Sequence, residues 1–210
     1  MPTLTLEQLR AAFQRPLPGR PAQYDMAHVV RRTYATPPAD ARQAAVLILV
    51  YPRKGRWHFV LIQRAGHVGN DAHRGQIGLP GGKIEPEDGS PARAALREAE
   101  EEIGVPAQQI ELLGGLTPLY IPVSKFVVHP FVGHTPTAPT FLAQETEVAD
   151  IYEVPLTDLL DGEARRTTEL PFGERLVLQN VPYFHLQKRV VWGATAMMLN
   201  EWVTLLGATA

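Results

Sequence analysis

Residues 79–105 read LPGGKIEPEDGSPARAALREAEEEIGV, a glycine turn followed by a segment rich in alanine and glutamate. Local signals predict a helix in this segment. Ser90 is a favourable N-cap, Pro91 suits the first helical position, and residues 92–102 are almost all strong helix formers. Gly104 is predicted to end the helix, because glycine readily adopts the left-handed conformation that follows a last helical turn.

The glutamates of this helix lie where local stability does not favour them. Glu100, Glu101 and Glu102 occupy the last turn, where the helix dipole disfavours anions by roughly 0.3–1 kcal/mol each. At about 100° per residue, Glu98, Glu101 and Glu102 fall within roughly a 100° arc, and Glu100 points elsewhere. The small residues Ala94 and Ala95 share the side of this arc. The opposite face is predicted to be apolar and consists of Ala92, Leu96, Ala99 and Ile103.

Three neighbouring carboxylates form an oxygen-rich patch of the kind that hard divalent cations bind. Mg²⁺ takes few carboxylates, keeps several waters and shares its other positions with substrate phosphates. The preceding Gly81-Gly82 turn lets the backbone approach a phosphate or a metal closely, because no Cβ intervenes. The alternative is a solvated acidic face with an ordinary turn before it, and periodicity alone does not separate the two interpretations.

The order of the glycine turn, the capped helix, the Arg-Glu pair and the double glutamate resembles the Nudix hydrolase signature. The loop after the leading glycine is one residue longer than in that pattern, so the signature's first glutamate falls at Gly89, next to Asp88. We expect Asp88 to take over that glutamate's contact with Arg97. The matching residues are Gly82, Arg97, Glu98, Ala99, Glu101, Glu102, Gly104 and Val105.

The resemblance implies an α/β/α sandwich with a mixed β-sheet and hydrolysis that depends on Mg²⁺ or Mn²⁺. It implies Glu98, Glu101 and Glu102 as metal ligands, to which we add the Gly81 carbonyl. Arg97 is then a catalytic-site residue that orients carboxylates rather than touching substrate.

The general base is less defined than the metal ligands. Glu98 is one candidate, and Glu145 and Glu147 in a later loop are the others, of which we prefer Glu147. An ordinary surface carboxylate is an equally good interpretation of either loop residue.

Flanking sequence is similar to the coenzyme A diphosphatase branch of this family. Residues 61–65 (LIQRA) are followed by residues 73–82 (HRGQIGLPGG), and residues 116–124 and 192–196 also resemble that branch. The resemblance therefore extends over about residues 44–206. For a substrate with a diphosphate and a 3′-phosphate, cationic side chains near the motif are needed. Our candidates for substrate binding are Arg64, Arg74, Lys83 and the backbone at Gly82.

Composition sets limits on partners and location. The 210 residues carry a net charge of −2, which leaves no basic surface for nucleic acid and favours a small-molecule substrate. The longest strongly apolar run, residues 44–51, is too short to span a membrane, and the N-terminus does not have a signal-peptide pattern. We therefore expect a cytoplasmic protein without membrane contact. The sequence leaves a homodimer open, and the absence of cysteine excludes disulfides.

The rest of the sequence predicts an N-terminal extension and one domain. Residues 1–43 are expected to form an N-terminal helix over 4–13 and an extended arm over 16–21, packed on a domain of residues 44–210. Strands are predicted at 44–50, 57–64, 110–119, 126–132, 148–155 and 175–178, and helices at 156–160 and 190–206.

Three functions fit these patterns. The leading one is hydrolysis of coenzyme A or acyl-CoA to adenosine 3′,5′-bisphosphate and 4′-phosphopantetheine or its acyl form. The second is a diphosphatase acting on another nucleotide, such as ADP-ribose, a dinucleotide or a nucleoside triphosphate. The third is a ligand-binding sensor without turnover, which the complete set of three glutamates disfavours.

Overall fold

The computed structural model of the chain describes residues 4–31, 36–65, 75–172 and 176–207. The helices are α1 (Leu6–Ala12), α2 (Gly19–Tyr24), α3 (Pro91–Ile103), α4 (Leu156–Leu160) and α5 (Gly193–Gly207). The strands are β1 (Arg42–Arg53), β2 (Arg56–Arg64), β3 (Ile77–Gly78), β4 (Gly81–Lys83), β5 (Glu111–Gly115), β6 (Leu119–Ile121), β7 (Phe126–His134), β8 (Val148–Pro155), β9 (Arg165–Phe172), β10 (Leu176–Leu186) and β11 (Arg189–Trp192).

A mixed eight-stranded sheet forms the centre of the molecule. Its main strand order is β3-β2-β1-β7-β5, with β4 paired to β1, β6 to β7 and β8 to β2. The pair of β1 and β7 is parallel, whereas β1 is antiparallel to both β2 and β4. The short β4 carries the glycine turn, so the sheet holds the residues that precede α3 directly beside β1.

Alternate residues of β1 face two separate hydrophobic clusters. Leu47, Leu49 and Tyr51 pack on the side of α3, whereas Ile48 and Val50 pack on the opposite side, with α5. A strand that is buried on both faces needs a nearly continuous apolar run, and residues 44–51 supply it. The predicted α/β/α sandwich with a mixed sheet is therefore confirmed.

The N-terminal helices pack on the face that α5 covers. Glu201 of α5 is fully buried and accepts hydrogen bonds from the Gln23 side-chain amide at 2.7 Å and from the Thr117 hydroxyl at 2.6 Å. The backbone N–H of Gly19 also donates to Glu201, at 3.1 Å. These bonds connect α2 to the domain. The boundary between residues 43 and 44 stays a prediction.

Four predictions about elements were wrong in part. The strand predicted at 110–119 is interrupted, because β5 ends at Gly115 and β6 begins at Leu119. The predicted extended arm over 16–21 becomes helical at Gly19. The predicted closing helix over 190–206 begins only at Gly193, because Val190, Val191 and Trp192, all favourable strand residues, complete β11. Of the single strand predicted at 175–178, residue 175 lies outside the described residues, and the rest is the start of the longer β10 in a separate antiparallel sheet with the order β11-β10-β9.

In the described parts of the chain, no helix has both the length and the apolar composition needed to span a bilayer.

Candidate functional site

Helix α3 turns two of its glutamates toward the sheet. Its buried residues are Ala94, Ala95, Glu98, Ala99, Glu102 and Ile103. The predicted apolar face was therefore wrong in part, since Ala92 and Leu96 are only half-buried. The small alanines allow α3 to lie close to β1, and this close approach takes Glu98 and Glu102 out of solvent.

Glu102 is the most deeply buried of the three predicted metal ligands, at 2% exposure. Its Oε2 accepts the backbone N–H of Gly81 at 2.7 Å, and its Oε1 lies 4.0 Å from Nη1 of Arg64. Burial raises the pKa of Glu102 to about 7, and the negative charges of Glu98 and Glu147 act in the same direction. The Gly81 bond and Arg64 only partly offset this.

Glu98 lies directly against the glycine turn. A Cβ added to Gly82 would meet the Glu98 carboxylate at about 2.6 Å, so a larger residue there would force this carboxylate to move. A Cβ at Gly81 would collide with the backbone of β1, and its φ of 152° is one that other residues rarely adopt. Burial raises the pKa of Glu98, although Oε1 is 3.0 Å from Nη1 of Arg97.

Arg97 is held by several protein groups at once. Its Nε and Nη2 donate to the two carboxylate oxygens of Asp88 at 2.8 and 3.0 Å, and Nη2 also donates to the Lys83 carbonyl at 3.0 Å. Nη1 donates to Glu101 at 2.8 Å. The pKa of Asp88 is lowered mainly by the hydrogen bonds from Arg97. The predicted Asp88 contact is present, and Arg97 is positioned to orient the glutamates.

Glu101 differs from the other two glutamates. Its carboxylate is 56% exposed and paired with Arg97. Across the described residues, no group of three or more His, Asp or Glu side chains converges in a geometry that could hold a metal ion. The metal assignment of Glu98, Glu101, Glu102 and Gly81 therefore rests on donor chemistry and charge.

That chemistry fits a divalent cation. Glu98 and Glu102 are buried oxygen donors with raised pKa values. Among the described residues, the positive groups that pair with them are Arg97, which is already shared among several carboxylates, and the more distant Arg64. Buried carboxylates without enough positive charge are expected to bind a hard cation that supplies it.

A loop over residues 141–147 brings Glu147 to the same place. The backbone N–H groups of Leu142 and Gln144 donate to the carbonyls of Ile103 and Glu102, both at 3.0 Å, and so satisfy the end of α3. The backbone of Glu147 accepts the N–H of Ala65 at 2.8 Å. Its exposed carboxylate is close enough to raise the pKa values of both buried glutamates of α3.

Only some of the predicted substrate-binding residues lie at this site. Arg64, at the end of β2, is 38% exposed and adjoins Glu102. Lys83 is exposed and its Nζ lies 3.3 Å from Glu85, so the structure brings its backbone, rather than its amine, to Arg97. Arg74 lies outside the described residues.

Two features of the site could not be predicted from the sequence. The contact between Arg64 and Glu102 joins residues 38 positions apart, and the anchoring of the 141–147 loop uses backbone groups. Gly104 also allows this loop to pack closely against the end of α3, because Leu142 occupies the space that a Cβ at Gly104 would need.

Comparisons with known proteins agree with this geometry. A family model described as NUDIX domain matches residues 41–172. The chain is 37% identical over 163 residues to an uncharacterized Nudix hydrolase, NudL, of Yersinia enterocolitica, covering 78% of this chain and 80% of that protein. It is 38% identical over 168 residues to NudL of Salmonella paratyphi B, covering 80% and 84% of the two chains.

A solved structure supports the fold in particular. The MutT/nudix family protein from Enterococcus faecalis superposes with a TM-score of 0.50 at 15% identity, and the alignment covers 94% of this chain and 73% of that one. The predicted fold type is therefore confirmed by structural similarity as well as by sequence.

Proposed function

The chain belongs to the Nudix family and is a hydrolase of pyrophosphate bonds in nucleoside diphosphate derivatives, and from that premise we propose that its substrate is coenzyme A or an acyl-CoA. Water cleaves the diphosphate linkage, giving adenosine 3′,5′-bisphosphate and 4′-phosphopantetheine or its acyl form. The observation that carries this proposal is the position of Arg64. This arginine, in the segment that resembles the coenzyme A diphosphatase branch, lies 4.0 Å from Glu102 of the Nudix signature.

Nudix hydrolases generally use divalent metal ions. We assign Mg²⁺ or Mn²⁺ to Glu98, Glu101 and Glu102 with the Gly81 carbonyl. When bound, such an ion supplies charge neutralisation at the phosphates and lowers the pKa of water. For Glu101 to take part, its carboxylate must leave Arg97, which is feasible for a half-exposed side chain. The hydrogen bonds that Arg97 donates to the Asp88 carboxylate and the Lys83 carbonyl keep it in place during that change.

Glu147 is our choice for the group that accepts the proton of the attacking water. It is exposed at a loop that is tied to both α3 and β2, and its charge acts on Glu98 and Glu102. A base needs hydrogen-bond access to water and a fixed position, and the loop provides both. Glu98 is less suitable, because its carboxylate lies against Gly82 and Arg97. Glu145 is exposed in the same loop and is the other alternative.

Substrate phosphates are assigned to cationic and backbone groups around the turn. Arg64 can release Glu102 and pair with a phosphate, since their separation of 4.0 Å is longer than a hydrogen bond. Lys83, Arg74 and the backbone at Gly82 complete the proposed binding set. A small-molecule substrate and a cytoplasmic location belong to the same proposal.

The experiment that tests the proposal compares substrates that differ by one phosphate. Coenzyme A should be cleaved with a kcat/KM about ten- to a hundredfold above that of 3′-dephospho-coenzyme A, because a charge-assisted contact contributes roughly 1.5–3 kcal/mol. Arg64→Ala should reduce this ratio. The matched control is Arg56→Ala, which removes an exposed arginine at the opposite end of β2 and should leave the ratio unchanged.

Two outcomes of this experiment would overturn the assignment. Equal cleavage of the two substrates would remove the role of the 3′-phosphate. Faster cleavage of ADP-ribose than of either would make the chain a Nudix diphosphatase of a different specificity.

A further inference from the structure

The second sheet ends in a strand whose outer edge is free. β9 lies at one end of the order β11-β10-β9, and no strand in the described part of the chain pairs with its other side. Most of its residues are exposed, among them Arg165, Thr167 and Glu169. An exposed strand edge carries unpaired backbone donors and acceptors, which are a template for pairing with another strand.

The position of a proline fixes which residues of β9 point outward. Thr167 lies opposite Pro182 of β10. Pro182 has no N–H, so this must be a pair without direct hydrogen bonds. The N–H and C=O of Thr167 therefore point away from β10. By alternation those of Glu169 and the C=O of Arg165 do so too, whereas the N–H of Arg165 already donates to the Gly162 carbonyl.

The free edge is short, because it ends at another proline. Pro171 is the next outward residue of β9 and cannot donate. The available edge is therefore residues 165–169, which read RRTTE.

The sequence of this edge is complementary to itself. If two copies pair antiparallel about a twofold axis through Thr167, Arg165 of each copy faces Glu169 of the other, and the two Thr167 residues face each other. Opposite charges and paired threonines stabilise antiparallel neighbours. Within the described residues, neither Arg165 nor Glu169 makes an ion pair. The guanidinium carbon of Arg165 lies 5.8 Å from the ring centre of Phe184.

We propose that the β9 edge at residues 165–169 pairs with the same edge of a second copy and forms a homodimer. The pairing makes about four backbone hydrogen bonds and two inter-subunit ion pairs. It is isologous and closes on two copies. Because the edge is short and its charges are exposed, the dimer is concentration-dependent and weakened by salt.

Charge exchange on the full chain tests this proposal. Sedimentation velocity of the wild type should show a concentration-dependent monomer–dimer equilibrium. Arg165→Glu alone and Glu169→Arg alone should each raise the dimer Kd at least tenfold, because both place like charges opposite each other. The double exchange R165E/E169R should restore dimerisation, and so should mixing the two single variants, since their edges are mutually complementary.

The control substitution is Arg166→Glu, which makes the same charge change on the other face of β9 and should leave the dimer Kd nearly unchanged. Thermal unfolding of each variant checks that the fold is kept. A wild type that stays monomeric up to its solubility limit would overturn the proposal. A dimer that is insensitive to the single exchanges, or that neither the double exchange nor the mixture restores, would do so too.

Discussion

Replacing Glu102 with glutamine should stabilise the metal-free protein, although it removes a buried hydrogen-bonding charge. The carboxylate is 2% exposed, and burial is the main reason that its pKa rises from 4.5 to about 7. Glutamine has nearly the same shape and keeps an oxygen that can accept the N–H of Gly81. The substitution therefore removes the charge while retaining the packing and the backbone bond.

The size of the effect follows from the pKa change. Each pKa unit corresponds to 1.36 kcal/mol, so at about pH 8 the ionised Glu102 costs the folded state about 3 kcal/mol. A variant that avoids most of this cost gains about 2–3 kcal/mol, or roughly 5–10 °C in Tm for a chain of this size.

The stability that Glu102 contributes to the folded protein depends on pH. A carboxylate whose pKa is raised by folding contributes stability that is fully present below about pH 4.5, its unfolded value, and that is lost as the pH rises through about 7. The advantage of Glu102→Gln should therefore be large at pH 8 and should nearly disappear toward pH 5.

Denaturant unfolding at both pH values in the presence of a chelator measures this difference. Glu87→Gln is the matched control, because it removes an exposed carboxylate in the turn before α3. The reasoning would be refuted if the Glu102→Gln protein were less stable than wild type at pH 8. It would also be refuted if the difference in unfolding free energy were the same at both pH values.

Three further substitutions test other parts of the site. Glu147→Gln should lower kcat by about a hundredfold or more if this residue accepts the proton, whereas Glu145→Gln in the same loop should change kcat little; stopped-flow or product assays decide between them. Gly82→Ala should displace the Glu98 carboxylate and reduce kcat by about a hundredfold, with circular dichroism showing that the fold is kept. Gly104→Ala should cost about 1–2 kcal/mol of unfolding free energy, because φ is 70° and a Cβ would push against the 141–147 loop.

Most of the central elements could be predicted from local sequence. Ser90 and Gly104 cap α3 as expected, β8 and α4 have the predicted bounds, and the hairpin of β1 and β2 is present. These elements are marked by caps, by a turn or by a continuous apolar run, and each of these signals acts within a few residues along the chain.

The orientation of α3 could not be predicted in the same way. Helical periodicity assigns glutamates to the solvent side, but here Glu98 and Glu102 lie against β4. Their burial depends on the glycine turn, whose partner in space is 16–21 residues away in sequence.

Most of the second sheet could not be predicted either, because its strands do not show a clear local pattern. Two of the strands in this sheet contain a proline, and β10 is interrupted at Asn180, which has a positive φ. The turn between β10 and β11 also consists of residues with positive φ, Gln187 and Lys188. Such residues weaken the alternation by which strands are recognised. Val190 to Trp192 also run into α5 without a break in apolar composition, so the apolar pattern does not mark where the strand ends.

Incubation of the wild-type protein with coenzyme A and Mg²⁺ or Mn²⁺, with the products identified by mass, shows whether the chain cleaves the diphosphate of coenzyme A. We expect adenosine 3′,5′-bisphosphate and 4′-phosphopantetheine in equal amounts, with loss of both when a chelator is present or when Glu102 is replaced by glutamine. Intact coenzyme A under conditions in which ADP-ribose or a dinucleotide is hydrolysed would contradict this expectation.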